Sequence, residues 1–192
     1  MNSFEMCPQC HHEYHDPTDR RFHAQPNACP RCGPALTLLT SQGVRLTISD
    51  PLTETISLLK AGGIVAIKGL GGFHLACDAT NEEAVSCLRA RKYREDKPFA
   101  LMCRDIEAAQ QFCAVDEFSR ELLIAKERPI VVLPKKEPSP IAHSVAPYQK
   151  TLGLMLPYSP LHHLLFTGGL EVLGVGTLAA VSTYLIGLLF PE

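Results

Sequence analysis

The chain has 192 residues, 46% hydrophobic and 20% charged, which excludes a disordered tract and leaves room for one ordinary domain plus a small appendage. Eighteen basic against twenty acidic side chains give a formal charge of -2, so no global basic field recruits nucleic acid and any such contact must come from a local patch. Of the eight cysteines, four fall in two C-x-x-C pairs near the N-terminus, which suits metal binding in a reducing compartment and predicts a cytoplasmic protein. Met1 to Met6 leads into Cys7 with no charged n-region and apolar run, so export by a signal peptide is not expected.

Residues 1–45 are rich in Cys, His and Pro and poor in apolar runs, so another device must hold them. Cys7-Pro8-Gln9-Cys10 and Cys29-Pro30-Arg31-Cys32 are separated by eighteen residues, the spacing of a four-cysteine zinc site. Two such turns supply the tetrahedron of thiolates that zinc accepts at about 2.3 Å, and a site closed by protein ligands is structural. His11, His12, His15 and His23 lie in the intervening loop as alternative ligands.

The texture changes at Asp50, which caps a predicted helix with Pro51 at its first position, stopped by Gly62-Gly63. A strand over 64–67 follows. Thr80-Asn81-Glu82-Glu83 has capping-box spacing and opens a helix towards Arg89 to Arg94. A strand at 99–102, helices from Asp105 to about Cys113 and over 117–126, and a β-branched run at 130–133 complete an alternation that predicts an open α/β sheet. Cys77, Cys87, Cys103 and Cys113 sit among apolar residues and read as small buried hydrophobes. Lys135 to Lys150, with Pro138, Pro140 and Pro147, reads as an exposed connection.

From Thr151 onward there is no Lys or Arg, and Val172 to Phe190 is an uncharged run of 19, about the minimum that spans a bilayer. Three glycines, three hydroxyl residues and the lack of flanking basic anchors argue against a membrane segment.

Certain runs are long and specific. His12-Glu13-Tyr14-His15-Asp16-Pro17 and Asp19-Arg20-Arg21-Phe22-His23-Ala24-Gln25-Pro26 lie between the cysteine pairs. Lys68-Gly69-Leu70-Gly71-Gly72-Phe73-His74-Leu75-Ala76-Cys77-Asp78-Ala79 and Asp96-Lys97-Pro98-Phe99-Ala100 follow. Over residues 7 to about 170 the chain resembles the HypF family of hydrogenase maturation carbamoyltransferases. The resemblance implies the second of that family's two zinc fingers (1–45), then the N-terminal part of a YrdC-like domain (46–170), a twisted open α/β sheet with helices, left incomplete here. It implies a zinc ion and, as substrates, ATP and carbamoyl phosphate with Mg2+, joined as a carbamoyl-adenylate. Later transfer goes to the C-terminal cysteine of a HypE-type partner, where the carbamoyl group becomes a hydrogenase cyanide ligand.

Site residues follow from the resemblance and from charge. Arg89 to Lys97 holds five basic and two acidic residues, and Lys92 with Arg94 match the K-x-R motif that grips nucleotide phosphates in the YrdC group. Lys97 adds charge where phosphate must be held. Lys68 ends a predicted strand before a glycine run able to approach a ligand closely. His74 is a secondary candidate for a carbamoyl or phosphate oxygen. The segment from Leu156 to His163 resembles a pocket wall, offering Tyr158 as an aromatic surface and His162 or His163 as a polar tip.

After Leu173 the chain departs from the family pattern, so 171–192 reads as an apolar tail whose deletion leaves nucleotide affinity unchanged. The family's acylphosphatase domain, first finger and transferase domain have no counterpart in the sequence, which reads as a fragment. A competing class is a zinc-containing module that binds protein or double-stranded RNA through the Arg89 to Lys97 patch without turnover. A membrane-tethered protein is the third.

Overall fold

The computed structural model describes residues 5–29, 31–69, 72–177 and 188–189. Contacts divide the chain into two compact units with the boundary between Thr37 and Leu38. The expected finger, 1–45, is therefore too long. Leu38, Leu46 and Ile48 belong to the core of the larger unit, where Leu46 N–H donates to the Leu38 carbonyl at 3.0 Å.

The smaller unit holds one described helix, α1 (Pro8–His15), with Cys7 at its N-cap, Pro8 in its first turn and Cys10 buried. In the larger unit the starts of three predicted helices are capped by a side chain accepting orphan N–H groups. Asp50 accepts from Leu52 and Thr53 before α2 (Pro51–Lys60), Asp105 from Ala108 before α4 (Ile106–Phe112), and Asp116 from Ser119 before α5 (Glu117–Ile124). The cap of α3 (Glu82–Arg91) is one residue later than the capping-box reading had it. Asn81 accepts from Ala84 N–H, while the Thr80 hydroxyl turns back to Asp78.

Strands β1 (Ile64–Lys68), β2 (Phe73–Asp78), β3 (Ala100–Cys103), β4 (Val131–Pro134), β5 (Thr151–Met155), β6 (Val172–Thr177) and β7 (Leu188–Leu189) form one sheet in the order β4-β5-β3-β6-β2-β1-β7. β3 and β5 pair in parallel, and the other described pairs are antiparallel. Side chains alternate between two apolar layers, as the period of a strand requires. Ile64, Leu75, Cys77, Leu101 and Leu154 meet α3, α4 and α5 on one face. Val65, Ile67, Met102, Met155 and Leu173 meet α2 and α6 (Pro160–Thr167) on the other. The class is the expected open α/β sheet.

The tail is not where the sequence predicted. β6 lies between β2 and β3, with Ala76 and Ala100 on either side of Val175 and Cys77 and Leu101 on either side of Gly174. Val172, Leu173 and Val175 are buried. The expected boundary after 170 therefore cuts into the centre of the sheet. A strand covered on both faces is a continuous apolar run, and that is what resembled a membrane segment. Among the described residues no helix is long and apolar enough to cross a membrane. The rest of the run, 178–187, lies outside the described residues.

The stretch 135–150 is also less exposed than predicted. Ile141, Ala142, Val145 and Ala146 are buried around a short 3-10 turn, His143–Val145.

Candidate functional site

In the small unit the sulfurs of Cys7, Cys10, Cys29 and Cys32 all lie within 4.8 Å of one another. Cys7 to Cys29 is 3.6 Å and Cys29 to Cys32 is 3.8 Å. A zinc tetrathiolate with bonds of about 2.3 Å has S–S edges of about 3.8 Å, so the four donors fit that ion. Backbone N–H groups of Cys7 and Cys29 hold the Cys32 thiol down at about 6, while burial and the neighbouring sulfurs push the Cys10 thiol up. Gly33 is required by close approach, since a Cβ there would stand 2.7 Å from the Cys29 carbonyl oxygen. The loop histidines have other work. His11 stacks on His15 at 4.2 Å, Tyr14 stacks on His23 at 4.9 Å, and the ligand cluster contains none of them.

In the larger unit a cavity of about 550 Å³ opens over β5 and the end of β3. Arg94, Lys97 and Arg128 bring positive charge to its wall, Ile130, Val132, Met155 and Val175 give apolar surface, and His74 and Tyr158 add polar tips. Among the described residues no carboxylate lines it. A mixed lining of this size suits a ligand with one flat apolar end and one anionic end.

The loop after α3 is held by its own arginines. Arg89 donates to the carbonyls of Ser144 and Val145 and also to those of Arg94, Glu95 and Lys97. Arg94 Nε donates to the Lys97 carbonyl at 2.7 Å and a terminal nitrogen to the Pro98 carbonyl at 2.5 Å. Both guanidiniums stand 4.9 Å from the ring of Phe99. Arg94 therefore shapes the loop as well as charging the cavity.

Opposite, the Tyr158 hydroxyl lies 3.2 Å from His74 Nε2. Burial lowers His74 below the ordinary imidazole range and raises the Tyr158 phenol, so at neutral pH the pair is uncharged. His162, 3% exposed on α6, packs edge-on to Tyr158 at 4.4 Å. Its Nδ1 has no hydrogen-bond partner among the described residues, and burial pushes its pKa down to about 4.

The Sua5–YciO–YrdC family, described as telomere recombination, matches residues 57–187, and the HypF finger family matches 6–39. The chain belongs to the Sua5–YciO–YrdC family, joined to a HypF-type zinc finger. The carbamoyltransferase HypF of Rhodobacter capsulatus is 51% identical over 181 residues, covering 93% of this chain and 24% of that protein. The solved structure of T. kodakarensis HypF superposes with a TM-score of 0.78 at 47% identity, covering 90% of this chain and 23% of the other. A full-length HypF in a phosphate- and nucleotide-bound form superposes at 0.76 with 46% identity, over 90% and 22% of the two chains. The chain thus spans about a quarter of the length of these relatives. It is a HypF zinc finger plus YrdC-like domain, of an enzyme family.

The YrdC-like domain brings His74, Arg94, Lys97 and Tyr158 to one cavity. His162 is not on its surface and instead lies behind Tyr158 and His74. Lys92 is the C-cap of α3, half-buried beside Arg94 and off the lining, with its ammonium lowered by burial and by Arg94. Lys68 is exposed at the end of β1, its ammonium 4.8 Å from the Phe73 ring, and also does not line the cavity. Sequence reasoning missed Arg128, Ile130 and Val132. A strand over 130–133 was predicted, but nothing local says that exposed Ile130 and Val132, or Arg128 in the turn before them, line one cavity with the loop at 94–98. Cys77, Cys103 and Cys113 are buried as expected, with burial raising their thiols to about 12, 12 and 11, while Cys87 is half-buried.

Proposed function

We propose that the YrdC-like domain binds ATP and forms a carbamoyl-adenylate, as a part of a hydrogenase maturation carbamoyltransferase, and that the finger carries one structural zinc ion. The observation that supports this is the cavity with three cations on its wall and apolar surface at its floor. In the reaction, water cleaves the bond between the carbamoyl oxygen and phosphorus of carbamoyl phosphate, inorganic phosphate leaves, and an oxygen of the freed carbamate attacks the α-phosphorus of ATP. The new O–P bond forms as the bond from the α-phosphorus to the bridging oxygen breaks, and pyrophosphate leaves with that electron pair.

Little covalent work falls to the protein in such a transfer, so positioning and charge carry it. Arg94, fixed by two carbonyls, and Lys97 face the phosphates, where fixed donors need no reorganisation as charge develops. Neutral His74, steadied by Tyr158, offers an N–H to a carbamoyl oxygen. Among the described residues the lining offers no carboxylate, so Mg2+ would depend on the nucleotide for its ligands and would supply charge neutralisation there. Transfer of the carbamoyl group to a HypE-type partner is the proposed later fate.

The double-stranded RNA reading has less support. Arg89 spends its donors on backbone carbonyls, which removes one of the five basic side chains from the patch, and two acidic residues lie within it. The test is pyrophosphate release by the full chain with ATP and carbamoyl phosphate, read against each substrate alone. Release requiring both supports the proposal; no release together with no ATP binding rejects it.

A further inference from the structure

Arg128 belongs to two adjoining spaces. It lines the main cavity and also a groove of about 380 Å³ that continues past Tyr158 between Lys126, Pro157, Ser159, Pro160 and His163. Tyr158 is the other residue common to both. Arg128 therefore stands on the wall where the cavity passes into the groove, with Lys126 and His163 beyond it.

Its backbone is unusual. Arg128 has φ +47 in the turn between α5 and β4, a conformation that costs a side-chain-bearing residue free energy and that Gly or Asn adopts more readily. A turn needing only that conformation is better served by those residues. The guanidinium is half-buried, donates to the Leu123 carbonyl at 3.2 Å, and has no carboxylate within ion-pair distance among the described residues. Among the described residues Lys126 is paired with its exposed neighbour Glu127, at 3.8 Å. A planar donor left without a carboxylate, held at the mouth between two spaces by a strained backbone, is suited to an anion with several oxygens.

We infer that Arg128 is a binding residue for a phosphate-type anion, holding the end of the ligand that extends from the main cavity into the groove. This deepens the nucleotide reading and rests on it for the source of the anion. Two sources share the chemistry, the phosphate tail of ATP and carbamoyl phosphate, and Arg128 meets the anionic end of the ligand beyond the phosphate that Arg94 and Lys97 face.

The experiment is calorimetric titration of the full chain, wild type and Arg128→Asn, Arg128→Gly and Arg128→Lys, with ATP, pyrophosphate, carbamoyl phosphate and adenosine. Asn and Gly keep the left-handed backbone, so the melting temperature is expected not to fall. Loss of one charge-assisted contact is expected to weaken the anion by about ten- to a hundredfold in both, with partial retention in Arg128→Lys and adenosine unaffected. Weakened ATP and pyrophosphate assign the contact to the nucleotide tail; weakened carbamoyl phosphate alone assigns it to the other source; either supports the inference. Unchanged affinity for all three anions, or an equal loss for adenosine, overturns it. A wild-type chain that binds pyrophosphate through Arg128 but neither ATP nor adenosine keeps the anion site and rejects the nucleotide reading.

Discussion

The imidazole rings of His74 on β2 and His162 on α6 lie 7° from parallel with their centroids 5.8 Å apart. One is at the cavity and the other is buried behind it, so the deeper ring is a platform for the shallower one and for Tyr158. A proton on either ring repels a proton on the other, and His163 adds to the effect on His162.

This makes acid stability predictable. His162 titrates at about 4 in the folded chain, against about 6.5 when unfolded. As pH falls the unfolded chain takes the proton first, so stability from neutral His162 is complete above about pH 6.5 and is lost towards pH 4. The gap amounts to at most roughly 3 kcal/mol. His162→Phe is expected to retain the ring packing and to flatten the decline between pH 6.5 and 4 in urea unfolding. A decline as steep as that of wild type would remove His162 as its source.

The metal centre predicts a ratio of one zinc per chain. Cys29→Ser with Cys32→Ser is expected to lose the ion, and a chelator to unfold the small unit, because the metal replaces a core there. Elemental analysis and far-ultraviolet circular dichroism check both. Retained zinc in the double variant would contradict the ligand set.

Arg94 and Lys97 line the same cavity but should fail differently. Arg94→Ala removes the donors to the Lys97 and Pro98 carbonyls and the cation beside Phe99, so stability is expected to fall by about 1.5 to 3 kcal/mol along with ATP affinity. Arg94→Lys should not restore the loop, since an ammonium lacks the planar fork. Lys97→Ala, at an exposed position, is expected to weaken ATP while leaving urea unfolding unchanged. Equal stability losses would refute the distinction.

β6 predicts that the C-terminal run cannot be discarded. Leu173 is 1% exposed between Asp78 and Met102 in register, so Leu173→Ala is expected to cost about 2 to 5 kcal/mol. Deletion of 172–192 should abolish cooperative unfolding of the larger unit and the ATP affinity with it. A deleted chain with an unaltered melting curve would show the strand to be dispensable.

How much was legible follows the range of each interaction. Helix starts at Asp50 and Asp105 and the four zinc-spaced cysteines depend on neighbours within a few residues or on a spacing, so they could be read directly. The motif resemblance carried the family, and with it His74, Arg94, Lys97 and Tyr158. Lys68 and Lys92 were singled out by charge and motif position, neither of which reports the direction of a side chain.

The sequence by itself determined the four clustered cysteines of the finger, the α/β alternation and the chemical character of the segment 89–97. Only the tertiary structure decided that Val172–Thr177 is a central strand, that Arg89 and Arg94 grip carbonyls, and that Arg128 joins the cavity to the groove. The physical reason is that strand order and cavity walls arise from segments tens of residues apart. An apolar run such as that of β6 satisfies a sheet centre or a bilayer equally well until its hydrogen-bonding neighbours are known.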